Sequence, residues 1–185
     1  MDDHHFVERV KAGDITAFGP LYDKYVREIY RFVWYKTHHR ETAEDITSTI
    51  FFKALERMTS FDISTGTWRG WLYSIARHAV IDHYRTRRPT TEIEDAWDIP
   101  STEDLARDTE ARDMVQHLGQ HLETLTPLQR DILVLRVWQE LSYAEIAVAT
   151  GKSEAACKMA FARGSARLKD LMPVLALLLT IYSSR

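Results

Sequence analysis

The 185-residue sequence contains one cysteine, Cys157. A lone thiol closes no internal disulfide, so the expected home is a reducing cytoplasm. Glycine (7) and proline (5) are sparse, which favours helices. No stretch alternates apolar and polar residues long enough to predict a strand. Long apolar runs are lacking too. The one candidate, residues 171–182, is shorter than the roughly 20 residues a membrane helix needs, and Pro173 interrupts it. It is expected to dock on its own domain as a last helix, or else to bind a partner. The start, Met1-Asp2-Asp3-His4-His5, has no apolar core, so no signal peptide is expected there. Positive charge is not in excess: the formal net charge is −3. A chain that grips nucleic acid over its whole surface would be basic, so any such affinity must come from local patches. No Ser-His-Asp set, phosphate loop or catalytic carboxylate pair stands out, so no enzyme and no cofactor are expected. His117 and His121 lie one helical turn apart, but no third ligand is near and His38-His39 belongs to another segment, so no metal site is expected.

The patches are there. Residues 68–88 carry Arg69, Arg77, Arg85, Arg87 and Arg88 against one acid, Asp82. Residues 92–113 carry nine acids against Arg107 and Arg112. Residues 152–169 carry Lys152, Lys158, Arg163, Arg167 and Lys169 against Glu154. Basic, acidic, basic is the layout of two nucleic-acid-binding modules joined by a solvated linker. Pro89 and Pro100 support a linker there. The expectation is an all-α chain of two small helical domains joined by a flexible acidic linker. The N-terminal domain spans 1–89, the linker 90–112, the C-terminal domain 113–172 and the apolar tail 173–185.

Upstream, Phe6, Val10, Phe18, Leu21, Tyr22, Tyr25, Ile29, Phe32 and Val33 fall mostly at steps of three and four, the signature of helices with one buried face. A second helix is predicted over about 42–58 and a third over about 68–87. Toward the C-terminus, Thr126 and Pro127 open a helix carrying Leu128, Ile132, Leu135 and Trp138. Ser142 and Glu145 then form a capping box. Gly151 ends that short helix and Ser153 caps the next, whose predicted buried stripe is Cys157, Phe161, Gly164 and Leu168. A short capped helix, a glycine turn and a longer basic helix make a helix-turn-helix. In that motif the second helix enters the major groove with its N-terminal residues nearest the bases. Ser153, Glu154, Ala155 and Lys158 are thus base-proximal candidates, with Arg163, Arg167 and Lys169 placed for phosphates. Cys157 is expected to be a small core residue.

Residues 67–85 interleave aromatics with arginines, as single-stranded DNA binding requires: rings cover bases and cations follow the backbone. The polar loop 61–66 before them is suited to cup an extruded base. Trp71, Leu72 and Ile75 are expected in the core, and Asp82 in a local ion pair.

The run Glu44-Asp45-Ile46-Thr47-Ser48-Thr49-Ile50-Phe51-Phe52-Lys53-Ala54, the run 71–85 and the helix-turn-helix of 141–168 together resemble the extracytoplasmic-function sigma factors. The resemblance covers about residues 6–170 in the family's order. It implies that Asp45, Ser48, Thr49, Phe52 and Lys53 dock on core RNA polymerase. It implies that Ser64, Thr65, Arg69, Arg77, His78, His83, Arg85, Arg87 and Arg88 melt and read the start-proximal promoter element. It further implies that Ser153, Glu154, Ala155, Lys158, Arg163 and Arg167 read the upstream element as duplex, and that an anti-sigma factor holds the protein inactive. The chain departs from the family's pattern in three places. Ser48 and Thr49 stand where glutamine and an acid are frequent, His78 where asparagine is usual, and Ala160 where a basic residue is frequent. The hydroxyls of Thr47, Ser48 and Thr49 are expected to be plain helix-surface groups, although a phosphate there would restore negative charge. The competing expectation is a one-component helix-turn-helix regulator, which has no need of single-strand readout.

Overall fold

The computed structural model describes residues 3–37, 39–87 and 125–167. The acidic linker, the apolar tail, Arg88, Leu168, Lys169, His117 and His121 lie outside the described residues.

Among the described residues the chain is helical throughout, as an all-α class requires. Helix α1 spans Asp3–Lys11, with Asp3 in its first turn and Arg9 and Lys11 in its last. Both placements suit the helix dipole. Helix α2 (Phe18–Thr37) buries Leu21, Tyr25, Ile29, Phe32, Val33 and Lys36 along one stripe. Tyr22 stays exposed, edge-on to Phe51.

Helix α3 runs Arg40–Glu56, two residues earlier at each end than the sequence pattern predicts. His39 supplies the cap, its ring accepting the Thr42 amide, and residues 58–60 form a separate 3-10 turn. Helix α4 spans Trp68–Arg87 as expected. Leu72 and Ile75 are buried, and Trp71 is partly buried against the core. Asp82 pairs across to Lys53 on α3, at 4.0 Å, rather than within its own helix.

The C-terminal module follows its sequence signals closely. Thr126 and Gln129 form a capping box with Pro127 in the first turn of α5 (Pro127–Leu133). The helix widens into a π turn, Val134–Trp138, closed by the Gln139 amide on the Val134 carbonyl. Ser142 and Glu145 form the predicted capping box on α6 (Tyr143–Thr150), and Gly151 ends it in the left-handed conformation at φ 66. Ser153 accepts the Ala156 amide at the start of α7 (Glu154–Arg167). Cys157 is fully buried and Gly164 abuts Leu133.

The two modules share one apolar core. Leu72, Tyr73, Ala76 and Val80 of α4 belong to the same buried cluster as Ile132, Leu135, Leu141 and Ile146. Each leucine, isoleucine or valine among them, taken out of water, contributes about 1.5–3 kcal/mol. The contact between α4 and α6 is close enough to need a glycine. A Cβ on Gly70 would lie 3.0 Å from both the Cα and the carbonyl oxygen of Glu145. The sequence pattern predicts two modules on a linker; it does not predict that they pack face to face.

Candidate nucleic-acid interface

Three surfaces hold the residues singled out from the sequence, and the structure treats them differently. On α7, Ser153, Glu154, Ala155, Lys158, Arg163 and Arg167 are all exposed. Burial of Cys157 and Gly164 at the back of α7 turns these residues outward. Lys158 lies 3.5 Å from Glu154 and sits over the Tyr143 ring. Met159 (56 % exposed) adds an apolar side chain to this face, a residue the sequence reasoning passed over.

On α3, Asp45, Ser48, Thr49 and Phe52 are exposed, and Lys53 is half-buried. Phe52 is 63 % exposed, a large apolar group standing in water on a helix whose other face is core. The hydroxyls of Ser48 and Thr49 donate back to the carbonyls of Glu44 and Asp45, which is the plain helix-surface behaviour expected of them. Thr47 is instead buried, which takes it away from any modifying enzyme.

The start-proximal set divides. Ser64 lies exposed in the loop before α4, where its amide donates to Asp62. His78 and Arg85 are exposed on α4 and His83 is half-buried. The His78 ring lies 2.6 Å from the Ser74 carbonyl. The side chains of Thr65 and Arg87 are not among those described. Arg69 and Arg77, by contrast, point into the seam between the modules. Arg69 donates to Glu28 on α2 (2.8 and 2.5 Å) and to the carbonyl of Gln139 (2.5 Å), with Glu145 3.8 Å away. Arg77 donates through Nε to Asp131 of α5 at 2.6 Å.

Asp131 is the centre of a buried triad. Its other oxygen accepts from Lys36 at 2.7 Å, and Lys36 and Asp131 are 4 % and 5 % exposed. Burial raises the Asp131 carboxyl, but Lys36 and Arg77 outweigh it and hold it below its ordinary 3.8. Burial also lowers the Lys36 ammonium, against the pull of Asp131. A second node lies beside it: the Tyr73 hydroxyl sits 2.9 Å from Glu28 and 3.0 Å from Gln139. Burial, with Glu28 next to it, raises that phenol well above its ordinary range, so it stays a donor. Sequence reasoning missed Glu28, Lys36, Asp131 and Gln139. Only Lys36 left a signal. It falls at the step of three and four from Val33 and Phe32, where a charge on a buried stripe demands a partner.

Two family models match the chain: sigma-70 region 2 over residues 21–90, and sigma-70 region 4 over residues 117–168. The sigma factor BldN of Streptomyces coelicolor, of the extracytoplasmic-function type, is 36 % identical over 173 residues. That alignment spans 90 % of this chain and 64 % of BldN, just under two thirds of its length. The sigma factor YlaC of Bacillus subtilis is 35 % identical over 161 residues, covering 82 % of this chain and 90 % of YlaC. In three dimensions the chain resembles CnrH, solved with the cytosolic domain of CnrY, at a TM-score of 0.67 and 21 % identity, covering 93 % and 97 % of the two chains. It also resembles RpoE of Bartonella quintana, solved with the anti-sigma factor NepR, at 0.62 and 20 %, covering 86 % and 99 %. The chain belongs to the sigma-70 family, in its extracytoplasmic-function group, as does SigM of Bacillus subtilis, 30 % identical over 153 residues, covering 82 % of this chain and 92 % of SigM. Members of that family are transcription initiation factors.

Proposed function

We propose that this chain binds core RNA polymerase and directs it to promoters by contacting two DNA elements, one as duplex and one as melted strand. The C-terminal module reads the upstream element through α7. The observation that supports this reading best is the exposed basic face of that helix. A buried back (Cys157, Gly164), a cap (Ser153) and a left-handed turn (Gly151) set an outward row from Ser153 to Arg167. In a helix-turn-helix that row meets the major groove. Lys158 and the residues before it lie nearest the bases, and Arg163 and Arg167 lie nearer the phosphates.

The N-terminal module reads the start-proximal element through Ser64, Thr65, Arg69, Arg77, His78, His83, Arg85, Arg87 and Arg88. It docks on the polymerase through Asp45, Ser48, Thr49, Phe52 and Lys53. Exposed Phe52 is the apolar anchor that such an interface uses. The chain supplies recognition and strand opening, and the polymerase supplies the chemistry, so no catalytic residue, cofactor or metal belongs to it. Among the described residues no helix is long and apolar enough to cross a membrane, and the protein acts in the cytoplasm with its polymerase. RpoE is solved with the anti-sigma factor NepR and CnrH with the cytosolic domain of CnrY, and an anti-sigma partner is part of this proposal. A free-standing helix-turn-helix regulator is less well supported, because it leaves the region 2 match and the exposed α3 face without a role.

The test is direct association. The fluorescently labelled chain is titrated with core RNA polymerase, and the complex is then challenged with DNA. Saturable binding to core, followed by promoter-dependent gain in DNA affinity, supports the reading. DNA binding that is indifferent to the polymerase overturns it in favour of the regulator.

A further inference from the structure

We propose that α7 reads the upstream element through the methyl groups of thymines, with Met159 as the specificity-determining side chain and the helix's cations on the phosphates to either side. This rests on the duplex reading given above and names the chemical group that is recognised.

The back of α7 fixes its front. Cys157 and Gly164 are buried, and their separation is about two helical turns. The line opposite them runs through Ala155, Met159, Ala162 and Ala166, at steps of four, three and four. All four are exposed. A solvated helix face is ordinarily polar, yet this one carries no hydrogen-bond donor along its midline. The alanines alone would be ordinary, since alanine is the best helix former. Met159 is not: it is 56 % exposed, a large apolar group held in water within the row.

The charged neighbours lie off that midline. Lys158 is 3.5 Å from Glu154 and 5.6 Å from the centre of the Tyr143 ring on α6, so it leans back toward the body of its own module. Phe161 meets the same ring edge-on, which holds Tyr143 in place. Arg163 and Arg167 are exposed on the other flank. The cations choose the occupant. An apolar partner has no use for them, whereas the major groove has a floor of base edges between two rims of phosphates.

Among the base edges in that groove, the thymine methyl is the one that apolar side chains contact. The methionine thioether is unbranched and adapts its reach, so Met159 meets a methyl that alanine would leave short of contact. From Ala155 to Ala162 the helix rises about 10 Å at roughly 1.5 Å per residue. That is about three steps of a duplex whose base pairs stack roughly 3.4 Å apart. The thymines therefore fall within about four neighbouring base pairs.

The full chain, bound to core RNA polymerase, is offered fragmented genomic DNA, and the retained fragments are sequenced. Their shared upstream element is then synthesised as a duplex with thymine or, one position at a time, with deoxyuridine, which pairs as thymine does and lacks only the methyl. Affinities are measured for the unaltered chain, for Met159→Ala and for Met159→Gln. The position is exposed, so both variants should fold, and an unchanged thermal midpoint checks this.

The element should contain neighbouring thymines. Removing the methyl from one of them should weaken binding about three- to fourfold, the effect of uncovering one methylene-sized group. Met159→Ala should lower affinity for the thymine duplex by a similar factor and erase the deoxyuridine penalty at that position. Met159→Gln should change the base preferred there and leave selection elsewhere intact. Equal binding of thymine and deoxyuridine duplexes at every position overturns the proposal and gives the apolar row to a protein partner. A deoxyuridine penalty that survives Met159→Ala overturns it as well. Failure of the promoter reading looks different: the polymerase complex then retains no shared element, and both readings fall together.

Discussion

Replacing Gly70 with alanine should open the molecule, and the size of the effect follows from one distance. The new methyl would sit 3.0 Å from the Cα and the carbonyl oxygen of Glu145 and 3.3 Å from the Thr67 hydroxyl. Carbon atoms rest at about 3.5–4.0 Å. The obstacle is backbone, which cannot swing aside as a side chain can. Helix α6 must therefore retreat by roughly half an ångström to one ångström, and such overpacking costs about 1–3 kcal/mol. That cost falls on the closed form alone. Alanine also favours helix over glycine by about 1 kcal/mol, but α4 is a helix whether the modules touch or not, so this gain cancels. The closed-to-open ratio should fall about 5- to 150-fold. Energy transfer between dyes on Thr59→Cys and Ala162→Cys, both exposed positions on different modules, reports the separation. Lower transfer with intact helix content is expected. Unchanged transfer would refute the claim that α4 and α6 meet at Gly70.

Other expectations follow from single contacts. Phe52→Ala should weaken binding to core polymerase by more than about 1 kcal/mol, as an interface anchor does, and leave thermal stability alone, because the ring stands in water. Arg163→Ala should weaken duplex binding and lower the slope of log affinity against log salt by about 1, which a salt titration measures. Ile29→Ala, at a fully buried position, should cost about 2–5 kcal/mol by urea denaturation. Asp131 keeps its charge below its ordinary 3.8, so its contribution to closure is complete above that value and disappears as pH falls beneath it. In the energy-transfer assay Asp131→Asn should remove that acid dependence.

Local features were legible because local rules govern them. Helix α4, the Thr126–Gln129 and Ser142–Glu145 boxes, the Gly151 turn and the buried Cys157 each depend on residues within one or two turns. The boundary of α3 was misplaced because histidine is not among the usual caps, yet His39 accepts the Thr42 amide. The pairing of Asp131 with Lys36 and Arg77 was out of reach. The place of Lys36 on the buried stripe of α2 demands a partner but does not name one, and a basic stretch such as residues 68–88 reads the same whether its arginines face solvent or a carboxylate. The π turn that delivers Gln139 to Arg69 and Tyr73 was equally invisible, since its apolar spacing passes for ordinary helix.

Transcription in vitro is the most direct test of the central claim. Core RNA polymerase from the source bacterium is incubated with fragmented genomic DNA, with and without this chain, and transcript 5′ ends are sequenced. The account predicts new start sites that depend on the chain and share two spaced upstream elements. The same start sites with and without the chain would contradict it.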